Sequence, residues 1–141
     1  MIPVMFLRVA VSLMIGVGIA QACTCSISSV GDPKAGVDIV FRGKIIQFKN
    51  SPEGARMAVF AVDRVWKGHV HRILEMPATE TGDACWGFWP GQLKLDNELI
   101  VYVQDHGSPG FPYYVTALCY GTALAKDSND FQRLGPGKKP K

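Results

Sequence analysis

The chain has 141 residues, 48% of them hydrophobic and 19% charged, and its formal net charge is +3. A chain of this length is typical of one domain and is too short for two ordinary domains. Because the charge is close to balanced, the composition predicts no basic patch. It argues against a nucleic-acid-binding protein, which needs lysine and arginine in excess to contact phosphates.

The first 22 residues have the pattern of an export signal that is removed from the mature protein. A short region ending at Arg8 precedes an apolar run over residues 9–19, and Ala20-Gln21-Ala22 gives a small-x-small cleavage site. The apolar run is too short to span a bilayer. Residues 1–22 are therefore predicted to be a signal peptide, and the mature protein to be secreted or periplasmic, with no membrane anchor after cleavage.

A cysteine directly after the cleavage site also fits a lipoprotein, in which the Cys23 thiol is acylated and tethers the protein to a membrane. A lipobox prefers Leu at the third position before the cysteine and a small residue at the second. This chain has Ala20 and Gln21 there. These residues favour simple cleavage over lipidation.

The four cysteines, Cys23, Cys25, Cys85 and Cys119, all lie in the predicted mature chain. An even number of cysteines in an exported protein favours two disulfide bonds, because these bonds persist outside the reducing cytosol. A Cys23–Cys25 bridge is disfavoured, since it would close a strained ring across one residue. Both early cysteines are therefore expected to pair with Cys85 and Cys119, in either of two arrangements, and to clamp the new N-terminus to the domain.

Hydrophobic alternation and β-branched residues predict five strands. Gly43 is expected to bend or bulge the first of them. The segment over residues 26–36 is rich in Ser, Gly and Pro and is predicted to be irregular. The strands are predicted over residues 37–48, 57–66, 71–76, 98–104 and 113–119.

A short helix over residues 131–134 is predicted after the capping residues Ser128-Asn129-Asp130, and Gly135-Pro136 is expected to end it. The basic tail over residues 136–141 is predicted to be disordered, so the domain spans residues 23–135. Five strands with hairpins and no long alternating helices predict an all-β fold, a small antiparallel barrel with one short C-terminal helix.

Several sequence strings occur in a characteristic order along almost the whole mature chain. The strings are Val37-Asp38-Ile39-Val40-Phe41-Arg42-Gly43-Lys44, Phe60-Ala61-Val62-Asp63-Arg64-Val65-Trp66-Lys67-Gly68, Cys85 with Gly87 and Phe88, Leu99-Ile100-Val101-Tyr102-Val103, Leu118-Cys119, and the predicted helix from Phe131 to Gly135. Together with Cys23-Thr24-Cys25 at the predicted mature N-terminus, they resemble the netrin-like (NTR) domain family, and the Cys23-Thr24-Cys25 opening resembles that of the tissue inhibitors of metalloproteinases.

The resemblance implies a five-stranded oligonucleotide/oligosaccharide-binding (OB) barrel, stapled by disulfides from Cys23 to Cys85 and from Cys25 to Cys119. It also implies a mechanism of inhibition, in which the α-amino group and the carbonyl oxygen of Cys23 chelate the catalytic zinc of a target protease. A catalytic zinc keeps one position for water, which a rigid chelating pair displaces. An α-amino group has a pKa near 8, so losing its proton costs little at neutral pH.

The inhibitory wedge implied by the resemblance consists of Cys23, Thr24, Cys25 and Ala84, with Thr24 pointing into the specificity pocket of the protease and Ala84, or alternatively Asp83, flanking it. The expected partner is then a secreted or envelope zinc metalloprotease. The alternative is that Cys23-Thr24-Cys25 only staples the barrel, and that the protein is a non-inhibitory netrin-like module that binds another extracellular or envelope protein.

Weaker signals have simpler interpretations. His69, His71 and Glu75 would share one face of a strand, as metal ligands do, but their exposed neighbours favour solvent-facing roles, so no metal or cofactor is expected. His106 lies in a loop with no identifiable partner. No catalytic motif is recognisable, and the protein is predicted not to be an enzyme. The remaining aromatic residues could stack nucleic-acid bases but more simply belong to the core or its rim: Trp66, Trp86, Phe88, Trp89, Tyr113 and Tyr114.

Overall fold

The computed structural model of the protein describes residues 32–80 and 85–141. These residues are mostly β, with little helix, and one sheet curls into an antiparallel half-barrel. The predicted all-β class is therefore confirmed. The elements are β1 (Ile39–Asn50), β2 (Arg56–Lys67), β3 (Ile73–Pro77), β4 (Glu98–Asp105), β5 (Tyr114–Val115), β6 (Ala123–Leu124), a helix α1 (Phe131–Leu134), and two 3-10 turns, Leu118–Tyr120 and Ala125–Asp127.

The sheet has the order β3-β2-β1-β4-β5, and β6 also pairs with β4. The strands β1 and β2 form the long central hairpin, and β1 uses its other edge to pair with β4 over Ile39–Lys44. The register between β1 and β2 shifts between Arg42 and Gly43, which confirms the predicted bulge. A Cβ atom at Gly43 would lie 3.1 Å from the Phe41 ring and 3.2 Å from the Phe60 Cβ, so glycine lets these aromatic residues pack closely.

The concave face of the half-barrel carries an aromatic core. The rings of Phe41 and Phe60 meet edge to face with centroids 5.4 Å apart. Phe88 stacks on Phe60 at 6.2 Å and is itself buried. Aromatic pairs of this kind contribute about 0.5–1.5 kcal/mol beyond their buried area. Phe88 thus fixes a segment without regular structure onto the sheet.

A second buried cluster covers the other face of β1 and β4. It contains Val40, Ile100 and Tyr102, with Leu134 of α1 packed against them. The central residues of β4 are therefore buried on both faces, which explains why this strand is an almost continuous apolar run rather than an alternating one. The helix α1 lies where the sequence predicts it and supplies part of this cover.

Four of the predicted strands are confirmed in order, and the fifth is much shorter than expected. The strand predicted over residues 113–119 is reduced to two residues of β5, after which Leu118–Tyr120 turns as a 3-10 helix. The carboxylate of Asp105 accepts a hydrogen bond from the Tyr113 N–H at 2.9 Å. This N–H is therefore bonded to a side chain and does not take part in strand pairing. The two-residue strand β6 was not predicted.

The prediction that residues 136–141 form a disordered tail is corrected by the structure. Val65 and Lys138 exchange both of their backbone hydrogen bonds, at 2.7 and 2.8 Å. The residues at the start of the tail are also bonded to β2. The Trp66 indole N–H donates to the Gly135 carbonyl at 2.8 Å, and the Arg64 guanidinium donates to the Pro136 carbonyl. The charge of the tail suggested disorder, whereas its backbone is paired with the end of β2.

Within the part of the chain that the structure describes, no helix combines the length and apolar character needed to cross a membrane. The predicted signal peptide over residues 1–22 lies outside the described residues, as does most of the predicted irregular segment over residues 26–36.

Tyr102 links the second cluster to the segment before α1. Its side chain is buried in β4, and its hydroxyl donates a hydrogen bond to the Asp130 Oδ2 at 2.6 Å. Burial, and then the bond to Asp130, raise the pKa of Tyr102 far above its usual value. A raised folded-state pKa stabilises the fold fully below about pH 10, and this contribution is lost as the pH rises further.

We predict that Tyr102→Phe lowers the free energy of unfolding by about 1–2 kcal/mol at neutral pH, because the hydrogen bond to a carboxylate is lost. Above about pH 10 the same variant should lose stability less steeply than the wild type, since it has no buried phenol to ionise. Urea unfolding between about pH 7 and 11 measures both effects. Tyr113→Phe, at an exposed tyrosine, is the control. Identical alkaline slopes for Tyr102→Phe and the wild type would contradict the prediction.

Candidate functional site

The structure describes none of the residues of the predicted inhibitory wedge, but it describes two of the four cysteines predicted to form disulfides. Cys23, Thr24, Cys25 and Ala84 lie outside the described residues, so their placement stays a prediction. Cys85 and Cys119 are described, and neither carries a free thiol. The predicted pairing of these two cysteines with Cys23 and Cys25 also stays a prediction.

The structure brings Cys85 and Cys119 together at one edge of the half-barrel. The Cys85 carbonyl accepts a hydrogen bond from the Leu118 N–H at 3.1 Å. Trp86 and Ala117 form an antiparallel bridge beside it. We call these two paired segments, residues 85–88 and 116–119, the cysteine edge. Two residues 34 positions apart in sequence therefore become neighbours.

Phe88 and Gly87 fix the backbone of the cysteine edge. Phe88 sits in the aromatic core, and its N–H donates to the Thr79 carbonyl at 2.8 Å. The Gly87 N–H donates to the Thr116 carbonyl, also at 2.8 Å. Gly87 has a φ of +105°, and a Cβ there would lie 2.2 Å from the Thr79 carbonyl oxygen. Only glycine fits this position, two residues after Cys85.

Aromatic and polar side chains surround the cysteine edge. The Trp86 ring meets the rings of His106 and Tyr120 edge to face, with centroids 5.6 and 6.2 Å apart. The Gln104 side-chain oxygen accepts the Tyr120 hydroxyl at 2.6 Å and lies 3.0 Å from the His106 Nε2. His106, for which the sequence suggested no partner, is thus part of an ordered rim.

The environment of two tyrosines near this rim raises the pKa of both phenols. Burial, reinforced by the Asp38 charge, raises the pKa of Tyr120. Burial and the Asp105 charge do the same for the pKa of Tyr114. Both phenols therefore keep their protons, and Tyr120 can serve as the donor to Gln104. Asp105 also orders the loop that follows, because its Oδ1 accepts the backbone N–H groups of Gly107 and Tyr113 at 2.9 Å.

A groove runs from the cysteine edge toward the β1–β2 hairpin. Its larger part has a volume of about 810 Å³, and the adjoining part, which includes Trp86 and Gly87, measures about 160 Å³. The two parts share Pro77, Thr79 and Tyr113 in their walls. Nearby, Phe111 is 79% exposed. Large exposed aromatic side chains beside a groove are typical of protein-binding surfaces.

The other residues considered in the sequence are distributed elsewhere. His69, His71 and Glu75 are exposed, and the Glu75 carboxylate pairs with the Lys49 Nζ at 2.5 Å. No three His, Cys, Asp or Glu side chains among the described residues are grouped as metal ligands. Of the predicted aromatic residues, Phe88 belongs to the core, Trp66 packs on Phe131, and Trp86 lies at the rim.

Sequence reasoning missed Gln104 and Tyr120 as members of the rim. Gln104 ends an apolar strand, and Tyr120 follows the last cysteine directly, so neither stands out in a motif search. The position of Tyr120 next to Cys119 was the available signal, since residues beside a predicted disulfide are expected to share its surface. The side of β4 from which Gln104 reaches the rim depends on the curl of the sheet.

We predict that Gly87→Ala lowers the free energy of unfolding by more than about 2 kcal/mol, because the new Cβ would overlap the Thr79 carbonyl. Gly54→Ala is the matched control, since Gly54 also has a positive φ, +86°, but faces open space. It should cost about 1 kcal/mol from backbone strain alone. Thermal and urea unfolding of both variants measure the difference. Equal losses would show that the close contact at Gly87 is unimportant.

A scan against models of known protein families finds no match to this chain, and a search of curated proteins finds no matching protein. The residues on which a function can be built are therefore those that the fold itself gathers. They are Cys85 and Cys119 on a rigid edge, with Trp86, His106 and Tyr120 around them.

Proposed function

We propose that this protein is a secreted inhibitor of zinc metalloendopeptidases, similar to the tissue inhibitors of metalloproteinases, on an OB-type netrin-like barrel. The observation that carries the proposal is the hydrogen bond between the Cys85 carbonyl and the Leu118 N–H, which places the two body cysteines side by side. A pair of adjacent anchors is what a Cys-x-Cys segment at a mature N-terminus needs.

The two anchor segments are paired side by side, as two bridges to one short segment require. The antiparallel bridge between Trp86 and Ala117 puts Leu118 opposite Cys85, so Cys119 is one residue beyond the position opposite Cys85. Paired backbone segments lie about 5 Å apart, and a disulfide joins Cα atoms that are about 4.4–6.8 Å apart. Bridges from Cys23 to Cys85 and from Cys25 to Cys119 would therefore leave from neighbouring positions on the cysteine edge.

Such bridges would present the Cys23 amine and carbonyl in a single orientation. A catalytic zinc has three protein ligands and a fourth position for water. The neutral α-amino nitrogen and the carbonyl oxygen of Cys23 would close a five-membered chelate on that zinc and displace the water needed for hydrolysis. Thr24 would then enter the specificity pocket, and Ala84 would flank the wedge.

The rigidity of the anchors decides how strong such an inhibitor can be. A flexible N-terminus would lose conformational entropy when it became ordered on binding, and this loss would weaken the affinity. Because Phe88 is buried and Gly87 is held against Thr79, the backbone that follows the Cys85 anchor is already ordered before binding. Little additional ordering is then needed at the anchored end.

The rim supplies the additional contacts that a protease complex needs. Trp86 is 45% exposed beside Cys85, Tyr113 lines the same part of the groove, and the exposed Phe111 lies two residues before Tyr113 in the chain. Exposed Trp and Tyr side chains around a central anchor are common energetic hot spots of protein interfaces. Their position next to the anchor cysteines favours a partner that covers both.

A second candidate function is a netrin-like module that binds an extracellular or envelope protein without inhibiting it. The exposed aromatic rim and the groove of about 810 Å³ favour it, because they can bind a partner whether or not the Cys23 amine is free. The two functions differ in one requirement, a free α-amino group on Cys23.

We predict that adding one alanine before Cys23 weakens inhibition of a susceptible zinc metalloendopeptidase more than about 100-fold, because both chelating atoms are moved from the zinc. The exported wild-type protein is first checked by intact mass for a start at Cys23 and four oxidised thiols. Both proteins are then titrated against a panel of zinc metalloendopeptidases.

The control for this experiment carries the extra alanine after Lys141 and should inhibit as the wild type does. A correctly processed, fully oxidised protein that inhibits no member of the panel would contradict the inhibitor proposal and favour the non-inhibitory module. Equal inhibition by wild type and the N-terminally extended variant would leave inhibition but reject the chelate.

We predict that Trp86→Ala weakens binding to the inhibited protease about tenfold or more, because an exposed tryptophan beside the anchor is removed. Trp89→Ala is the matched control, since Trp89 is similarly exposed, at 47% against 45%, but lies outside the cysteine edge. It should change the inhibition constant less than about twofold. Circular dichroism and urea unfolding check that both variants fold. Equal effects of the two substitutions would argue against a special role of the rim.

A further inference from the structure

The paired C-terminal tail borders a second cavity, open to solvent, at the end of β2. The tail is bonded to β2 at Val65 and Lys138, and again further on, where the Lys141 N–H donates to the Val70 carbonyl at 3.1 Å. Between these two points the chain turns outward at Gly68, which has a φ of +78°. The space left between the two segments has a volume of about 370 Å³ and shares no wall residue with the groove at the cysteine edge.

Positive charge is concentrated around this cavity. Four lysines line it together with His69, and no carboxylate side chain is part of its wall. None of the four lysines forms an ion pair within the described residues. The Lys67 ammonium is positioned by a hydrogen bond to the Lys34 carbonyl at 3.0 Å. The four lysines are Lys67, Lys138, Lys139 and Lys141.

The near-neutral composition predicts no basic patch, and the structure corrects that prediction. Lys67 ends β2, whereas the other lysines of the cavity follow α1, so the chain segments that carry them are about 70 residues apart in sequence. The backbone pairing of Val65 with Lys138 brings the two groups together. The net charge of the whole chain does not reveal lysines that the fold brings together at one place.

We propose that this cavity binds a phosphate or sulfate ester group carried by a sugar. Unpaired lysines are common binders of such anions, and their flexible ammonium groups can converge on one oxyanion. A volume of about 370 Å³ lies within the usual range for small-molecule sites and exceeds that of a bare inorganic ion. The sugar ester is either a free small molecule or a unit of an acidic polysaccharide.

The wall of the cavity favours a sugar ester over a nucleic acid. Single-stranded nucleic acids are held by a basic groove together with exposed rings on which the bases stack. Besides the His69 imidazole, Trp66 is the one aromatic side chain among the lining residues. Its ring packs edge to face on Phe131 at 6.0 Å, and its indole N–H is bonded to the Gly135 carbonyl. It is therefore held in place rather than free to stack.

The test is a titration of the isotopically labelled protein, with backbone amide shifts as the readout, in salt near physiological strength. The probes are glucose 6-phosphate, inorganic phosphate, dextran sulfate, uncharged dextran and an oligothymidylate. Saturable shifts confined to Gly68, His69 and Lys139 are expected with glucose 6-phosphate or dextran sulfate, and none with dextran. A response to glucose 6-phosphate alone identifies the free ester as the source, and a stronger response to dextran sulfate identifies the polysaccharide.

The substitution K67Q/K139Q/K141Q is expected to raise the dissociation constant at least about tenfold, because charge-assisted hydrogen bonds are lost. K44Q/K94Q/K126Q removes the same charge from exposed lysines outside the cavity and should change it less than about twofold. Unsaturable or scattered shifts, or equal losses in the two triple variants, would overturn the proposal. Tighter binding of oligothymidylate than of both sugar esters at the same lysines would replace it with a nucleic-acid site.

Discussion

The bulged strand β1 is the element on which the rest of the structure depends. It pairs with β2 along its length and with β4 over Ile39–Lys44, and its bulge at Gly43 lets the sheet curl. A bulge increases local twist and bends a strand, so one extra residue changes the shape of the whole sheet. The curl brings Phe41 and Phe60 into contact and creates the concave face that Phe88 fills.

That aromatic core explains how a loop becomes a rigid platform. Residues 85–88 have little regular structure of their own, yet Phe88 is buried and Gly87 is held against the Thr79 carbonyl. Cys85 is therefore positioned by its neighbours before any disulfide is considered. The exposed Trp86 stands on the same platform, so one buried ring supports both the anchor cysteine and the candidate contact surface.

The two candidate sites use different physical chemistry. The cysteine edge presents aromatic side chains and a groove, which suits a protein partner whose binding is dominated by buried area. The cavity at the end of β2 presents four lysines that form no ion pair among the described residues, which suits an oxyanion. They share no lining residue, so substitutions at one are expected to leave the other intact.

The sequence by itself determined the strand-rich class, the first four strands, the bulge at Gly43 and the helix α1, because each rests on short-range patterns of side chains and glycine. It also identified the cysteines as candidate functional residues. Only the tertiary structure decided that Cys85 and Cys119 are neighbours, that Gln104 and Tyr120 join the rim, and that the tail pairs with Val65. These contacts join segments far apart in the chain, and they depend on how the sheet curls rather than on any local pattern.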